Sequence, residues 1–328
     1  MKLNKIKVGK TLKNFQKSKV LVIGDLILDE FIWGNVDRIS PEAPVPVVWV
    51  KSESFMPGGA SNVANNISSL GGKATILGVI GDDHHGKLLT DELKRRNVDT
   101  SGLVIDNNRP TSLKTRIIAH HQQVVRVDRE KIDNIDDNLI EQILSFVRQK
   151  INDIDGLIIE DYGKGLITPR LLSEIIPLAR KHNKIITVDP KENHFSFYRQ
   201  VTSITPNTKE AALGAGIKIH SSGDIDRIGK KLLKDLELES VLITLGEEGM
   251  RLFEKNGQIT HINTAAQEVF DVSGAGDTVI AVFTLALCSG ASTIEAAGIA
   301  NISAGIVVGK VGVAVVTKEE IIERLKIK

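Results

Sequence analysis

Residues 271–278 read Asp271-Val-Ser-Gly-Ala-Gly-Asp-Thr278, and the chain continues through the apolar run Val-Ile-Ala-Val-Phe-Thr-Leu-Ala-Leu to Cys288. The first part is a turn of small residues. The second predicts a buried helix over 279–289. Gly274, Ala275 and Gly276 then stand at that helix's N-terminus. Small residues let a ligand approach the backbone, and unpaired N–H groups together with the helix dipole favour an anion there. Asp277 falls in the first turn, beside the same anion site. A hydroxyl held between the Asp277 carboxylate and a bound phosphate would have a base on one side and an electrophile on the other. Phosphoryl transfer asks for that arrangement. Taken alone, the octapeptide reads equally well as an acid that steadies the first turn of its helix.

Outward from this turn, short β-branched runs at 20–23, 75–80, 157–159, 185–188 and 241–244 read as buried strands. Helical patterns lie at about 85–96, 137–150, 170–181, 224–236, 292–308 and 318–326. The clearest stripe is Ala60, Val63, Ala64 and Ile67, spaced for one helix face. Strand–helix alternation predicts an α/β fold: a mostly parallel sheet with helices on both faces. Two segments break the rhythm. Strands at 31–34 and 45–50, and at 112–119 and 123–127, have no helix between them. His120, His121 and Gln122 form the second tight connection. These four strands predict a small antiparallel β lid, with excursions at about 31–52 and 111–128, placed beside a cleft. A peripheral meander is the other reading. No repeat, low-complexity tract or long linker interrupts the chain, so a single domain over 1–328 is expected.

Of the 328 residues, 41% are hydrophobic and 25% charged, a globular mix. Net charge is +1, from 42 basic and 41 acidic residues, so no global field draws in nucleic acid or an anionic membrane. Only 4% of residues are aromatic, which also disfavours a nucleic-acid partner. The single cysteine, Cys288, excludes a disulfide framework and a thiolate zinc site. The N-terminal stretch is basic without an apolar core, so it is no secretory signal. The most apolar segment, 296–316, is broken by Asn301 and Lys310, and no membrane partner is expected. A cytoplasmic location follows.

Further motifs carry chemistry. Pro57-Gly-Gly-Ala-Ser-Asn62 opens the stripe helix. Gly58 and Gly59 allow close backbone approach, and Asn62 offers a donor and an acceptor, which suits a polyhydroxylated ligand. An ordinary helix start with turn glycines fits the hexapeptide as well. Gly24-Asp25-Leu-Ile-Leu-Asp29 follows the first strand. Asp25 and Asp29 stand where carboxylates meet ligands in a parallel sheet, with local backbone capping as the alternative. Other motifs fail. Gly81-Asp-Asp-His-His-Gly-Lys87 approaches a phosphate-binding loop, but Leu88 replaces the required Ser or Thr. No G-x-G-x-x-G follows the first strand. His84 and His85, like His120 and His121, lack metal-ligand spacing.

Together these residues resemble the PfkB, or ribokinase-like, family of sugar kinases, from about residue 18 to 326. The resemblance implies a ribokinase-like fold, ATP and Mg²⁺, and raises a monovalent cation as a further cofactor. It makes Asp277 the base and 274–276 the anion hole, with Gly58, Gly59, Asn62 and Asp29 lining the sugar site. Thr205-Pro-Asn-Thr-Lys-Glu210 is similar to the family's N-x-x-E element, in which Asn207 and Glu210 organise Mg²⁺ and phosphate, partly through water. Thr244-Leu-Gly-Glu-Glu-Gly249 resembles the loop beside the nucleotide, bringing in Thr244, Gly246 and Gly249, and Asn301 would neighbour the adenine. Each element taken singly has a plain reading: an N-cap, a turn, a polar helix position.

Arg38-Ile-Ser-Pro-Glu-Ala-Pro-Val-Pro-Val47, Asp161-Tyr-Gly-Lys-Gly165, Asp189-Pro-Lys191 and Ala266-Gln-Glu-Val-Phe-Asp271 are similar to the branch acting on D-glycero-β-D-manno-heptose 7-phosphate. So is the segment 300–310. This branch implies ATP-dependent phosphorylation of the C1 hydroxyl to the 1,7-bisphosphate, for ADP-heptose and lipopolysaccharide core precursors. Pro41, Pro44 and Pro46 suit an edge that must hold its shape. The substrate's own phosphate needs cations, and Lys164, Lys191, Arg116, Arg38 and Arg126 are the candidates, although such residues are commonly solvated. Many members are fused to a nucleotidyltransferase with an H-x-G-H motif. This sequence has none, so the kinase step alone is expected, with a separate nucleotidyltransferase downstream. Small exposed lid sheets pair, so a homodimer through the lid is expected. Two alternatives stand open: a kinase of another sugar, sugar phosphate or nucleoside, and a non-catalytic sugar or nucleotide sensor.

Overall fold

The computed structural model describes residues 3–120 and 122–326. Along the chain lie α1 (Lys5–Asn14), β1 (Lys19–Gly24), β2 (Leu26–Ile39), β3 (Pro46–Gly59), α2 (Ala60–Ser69), β4 (Lys73–Gly81), α3 (His84–Arg95), β5 (Asp99–Asp106), β6 (Ser112–Ala119), β7 (Gln122–Arg129), α4 (Asp137–Lys150), β8 (Gly156–Glu160), α5 (Pro169–Lys181), β9 (Ile185–Asp189), β10 (Ser203–Ile204), α6 (Thr208–Ala215), α7 (Ser222–Asp235), β11 (Ser240–Thr244), β12 (Met250–Glu254), β13 (Ile259–Ile262), α8 (Ala275–Cys288), α9 (Thr293–Val307) and α10 (Lys318–Leu325).

Nine strands form the main sheet in the order β13-β12-β11-β10-β9-β8-β1-β4-β5. It is parallel from β5 to β11, and β12 and β13 run antiparallel at one edge. The two-residue period of a strand divides its side chains between two cores. Val20 and Val22 of β1 pack with α2, α8 and α9 on one face, while Leu21 and Ile23 pack with α4, α5 and α7 on the other. This is why β1 and β8 read as continuous apolar runs: both faces are covered. Helix starts follow local chemistry. Asp136 caps α4, Thr168 caps α5 ahead of Pro169, and Ser292 with Glu295 forms a capping box on α9.

Parallel strands put their C-terminal ends on one edge. Gly24, Glu160, Asp189, Ile204 and Thr244 end β1, β8, β9, β10 and β11 there, the edge at which open α/β sheets bind ligands.

The second sheet has the order β3-β2-β6-β7. Its outer pairs are antiparallel, as the hairpin signals predict, but β2 and β6 meet in parallel from Ile27↔Ser112 to Gly34↔Ala119. The lid strands are also longer than the apolar runs suggest, because β2 and β3 are each 14 residues. Backbone pairing continues through the polar segment Lys51-Ser-Glu-Ser54, which carries no hydrophobic signal. Pro41 and Pro44 lie in the connection between β2 and β3, and Pro46 begins β3. His121, expected in the second lid turn, lies outside the described residues. Strand β5 escaped the apolar pattern because it is a polar edge strand with a register shift. Among the described residues no helix is long and apolar enough to cross a membrane.

Helix α8 runs through the first core with Phe283 fully buried. Phe283→Ala should lower the unfolding free energy by about 3–5 kcal/mol, the cost of deleting a large core side chain. Urea denaturation measures it, and a loss below about 1 kcal/mol would contradict this packing.

Candidate active site

Asp277 sits in the first turn of α8 and is 5% exposed. Gly274 caps the helix with φ 75°, a left-handed conformation that costs glycine little. A Cβ there would also lie 2.8 Å from Asn62 Nδ2. The Ala275 N–H closes the turn onto the Val272 carbonyl at 3.2 Å. Gly274, Gly276 and Asp277 itself keep N–H groups with no backbone acceptor among the described residues. Of the three amides expected at 274–276, Ala275 is therefore used to make the turn, and those of Gly274 and Gly276 remain.

Both oxygens of Asp277 accept a hydrogen bond. Asn62 Nδ2 donates to Oδ2 at 2.7 Å and the Tyr162 hydroxyl donates to Oδ1 at 2.8 Å. Asn62 is in turn held from Asn66, whose Oδ1 accepts from the Thr278 hydroxyl at 3.1 Å, so the two helix starts are laced together. Burial pushes the Asp277 carboxyl up to about 6, the bonds from Asn62 and Tyr162 pull it down, and the negative Asp29 nearby pushes it up again.

Three cavities meet at this turn. One of about 240 Å³ is lined by Asp161, Asp189, Lys191, Thr205, Asn207, Glu210, Thr244 and Gly276. A second of about 230 Å³ is lined by Asp29, Gly59, Lys114, Arg116, Arg126 and Ser273. Tyr162, Gly274 and Asp277 line both. A third, about 500 Å³ and mainly apolar, adjoins the first through Thr244 and Gly276 and includes Gly246, Gly249, Val269, Val272 and Asn301. The largest cavity, about 760 Å³, lies at the opposite sheet edge, where Lys19, Lys73 and Asp99 begin their strands. It holds none of this chemistry.

The first cavity is strongly acidic. Burial, with the negative charges of Glu210 and Asp277, pushes Asp189 up to about 8. Glu160, fully buried beneath it, is raised well above the carboxylate range by burial and by the neighbouring Asp189. Among the described residues no three acids, histidines or cysteines converge closely enough to cage a metal. Asn207 and Glu210 bond each other's backbone at 3.0 and 2.9 Å as a capping box on α6. This donor set fits Mg²⁺ held mainly by phosphate oxygens and water, with Asn207 and Glu210 in contact through that water.

Several sequence assignments are corrected here. Asp25 faces no cavity: its Oδ2 accepts from the amides of Tyr162 and Lys164 at 2.9 and 3.0 Å, and Oδ1 from Leu166 at 3.3 Å. It holds a loop rather than a sugar. Gly58 makes room for the Asp29 carboxylate, since a Cβ there would lie 2.3 Å from Oδ2. Asn62 is fully buried and orients Asp277 instead of lining the sugar side. Lys164 pairs with Glu130 at 2.5 Å and lines neither of the two cavities at Asp277. Lys191 lies in the acidic cavity, and Arg38 is exposed near the far end of β2, about 30 Å along the strand from Asp29. Arg116 and Arg126 do reach the second cavity, and Lys114 joins them. Lys114 was missed although its signal was present: 114 and 116 share one face of the strand, and Arg126 is the register partner of Arg116. Tyr162 was missed because nothing in local periodicity aims a loop phenol at a distant carboxylate.

Residues 17–320 match the family described as pfkB family carbohydrate kinase. The chain is 47% identical over 302 residues to the bifunctional protein HldE of Geobacter metallireducens, covering 92% of this chain and 62% of that protein. The chain thus spans less than two thirds of that relative's length. In fold it is similar to Arabidopsis thaliana ribokinase complexed with ribose and ATP, with a TM-score of 0.74, 19% identity, and 95% and 99% of the two chains covered. It is also similar to phosphofructokinase-2 from Escherichia coli in complex with potassium, with a TM-score of 0.79, 18% identity, and 94% and 98% covered.

The raised Asp277 carboxyl sets a pH dependence. Its carboxylate form exists above about 6 and is lost as pH falls through that value. Turnover measured from pH 5 to 8 should therefore show an acid limb near 6. A limb near 4, where an unburied Asp titrates, would remove the burial-shifted base.

Proposed function

Because the chain belongs to the pfkB family of carbohydrate kinases, we propose that it transfers the γ-phosphoryl group of ATP to the C1 hydroxyl of D-glycero-D-manno-heptose 7-phosphate, giving the 1,7-bisphosphate. The observation that carries this reading is the position of Asp277. Its carboxylate is a shared wall between a cavity with unpaired amides and a cavity with three cations.

The apolar third cavity suits an adenine, with Asn301 and the loop at Gly246 and Gly249 around it. The acidic cavity takes the phosphates with Mg²⁺, which supplies charge neutralisation on the phosphoryl oxygens. The free amides at 274, 276 and 277 point an N–H cluster and a helix N-terminus at the transferring group. The sugar lies in the second cavity. Asp29 is held by Arg116 at 2.5 Å and accepts from sugar hydroxyls. Lys114, Arg116 and Arg126 surround an anionic substituent with donors suited to phosphate. The C1 hydroxyl gives its proton to Asp277. Its oxygen bonds to the γ-phosphorus as the bond to the bridging oxygen breaks, and ADP leaves with that electron pair.

Lys114 and Arg126 pair with Asp128 and Arg116 pairs with Asp29, and the clustering of all three at one small cavity favours an acceptor that carries an anionic group over ribose or a nucleoside. The 47% identity to a protein named HldE favours the heptose, and the product would feed ADP-heptose synthesis. The lid exposes Trp49, Val50, Val125 and Val127, which favours a homodimer through this sheet.

Coupled ADP release should be strong with heptose 7-phosphate and weak with free heptose, fructose, ribose and adenosine. Arg126→Ala should raise KM for the sugar phosphate about 10–100-fold, the loss of a charge-assisted hydrogen bond, with KM for ATP unchanged. Asp277→Asn should cost on the order of 10²–10⁴ in kcat. A free sugar turned over as well as its phosphate would overturn the substrate, and near-native turnover by Asp277→Asn would overturn the base.

A further inference from the structure

We propose that Tyr162 is the positioning residue of the base: its phenol fixes the Asp277 carboxylate so that the remaining lone pairs of Oδ1 face the acceptor hydroxyl. This rests on Asp277 acting as the base, but not on which sugar is phosphorylated.

Three observations carry it. Tyr162 lines both the acidic and the cationic cavity, and apart from Gly274 and Asp277 no other residue does. Its hydroxyl donates to Asp277 Oδ1 at 2.8 Å, on the oxygen that Asn62 leaves free. The loop that presents it is fastened by two buried acids. Asp25 accepts from the Tyr162, Lys164 and Leu166 amides. Asp161 accepts from the Gly163 amide at 2.8 Å, the Tyr198 hydroxyl at 2.6 Å and His194 Nδ1 at 2.7 Å. Gly163 and Gly165 give the loop its turns, at φ 67° and 90°. A half-buried phenol needs no such anchorage to satisfy one hydroxyl. A phenol that must stay within hydrogen-bond reach of a base through each catalytic cycle does.

Carboxyls and cations face this pair in both cavities: Asp161, Asp189 at the end of β9, Glu210 of α6 and Lys191 in one, with Glu160 of β8 beneath, and Asp29 of β2, Lys114 and Arg116 of β6 and Arg126 of β7 in the other. Burial and the charges of Asp277, Glu160 and Asp189 raise the Tyr162 phenol well above its ordinary value, so it stays a protonated donor throughout the working pH range. A donor to the carboxylate form favours that form. Its removal therefore raises the Asp277 carboxyl further.

The test is the acid limb of turnover against pH in two variants. Tyr162→Phe removes the donor, and the limb should move about 0.5–1 unit to higher pH, with kcat several-fold lower at pH 6.5 and KM for ATP unchanged. Replacement of Tyr162 by 3-fluorotyrosine strengthens the donor, and the limb should move the other way. Site-specific incorporation at codon 162 confines the label to that position and leaves the loop anchor Tyr198 intact. A purely structural role would lower the melting temperature or the rate without moving either limb, and unmoved limbs overturn the proposal. If Tyr162→Phe fails to fold, the direction of the fluorotyrosine shift decides. Native turnover by Asp277→Asn would instead remove the base itself, whatever the Tyr162 variants do.

Discussion

One hydrogen bond organises the molecule: the Asn62 amide donates to the Asp277 carboxylate across 215 residues of sequence. It joins the first turn of α2 to the first turn of α8, two helices packed on the same face of the sheet. A nearly buried carboxylate left unpaired would be driven to its neutral form. With Asn62 on one oxygen and Tyr162 on the other, it stays ionised above about 6. The two donors hold the carboxylate in place and leave its titration near neutral pH. The Gly274 and Gly276 amides belong to the same turn, so their positions are tied to that of the carboxylate.

Charge is distributed in opposite senses on either side of this carboxylate. In the acidic cavity Asp189 is raised to about 8, chiefly by burial and then by Glu210, and Glu160 is raised beneath it. A group whose folded value lies above its unfolded value stabilises the fold fully at low pH and loses that contribution as pH rises through the folded value. For Asp189 the loss runs from about 4 to about 8, so near neutrality this side is an electrostatic liability. On the sugar side the sense reverses. Asp29 is raised by burial but drawn down by Arg116, Lys114 and Arg126, and it remains a paired acceptor within a cationic pocket.

Much of this was legible in the sequence, and the failures have physical reasons. Central strands such as β8 announce themselves because burial on both faces demands apolar residues. The glycine turn and Asp277 become legible only with the rest of the chain, because the octapeptide alone fits an acid that steadies a helix start equally well. The polar middle of β3 and the edge strand β5 are held by backbone pairing, to which side-chain patterning is blind. For Asp25 the sequence left a sugar contact and a backbone cap both open, because a carboxylate that ends a strand looks the same in either role, and its three amide donors make it the cap. The partner of Lys164 was not legible because tertiary contact chooses it, here Glu130.

The lid is not an appendage to this site but part of its covalent path. Strand β2 leaves β1 through Gly24 and Asp25, runs out past Asp29, and returns as β3 into Gly59 and α2, which carries Asn62. The Ala60 amide bonds back to the Asp25 carbonyl at 3.1 Å, closing the base of the excursion. The parallel seam sets Asp29 beside Lys114 and Phe31 beside Arg116, whose guanidinium also lies 5.3 Å from the Phe31 ring. The cationic cavity beside Asp29 is thus built from β2 and β6 together, and the strand that carries Asp29 leads through a single hairpin to the helix whose Asn62 bonds Asp277. The root of the β2–β3 ribbon is tied to the residues beside Asn62, so the positions of Asp29 and of the Asp277 carboxylate are coupled by chain connectivity, with no separate relay required.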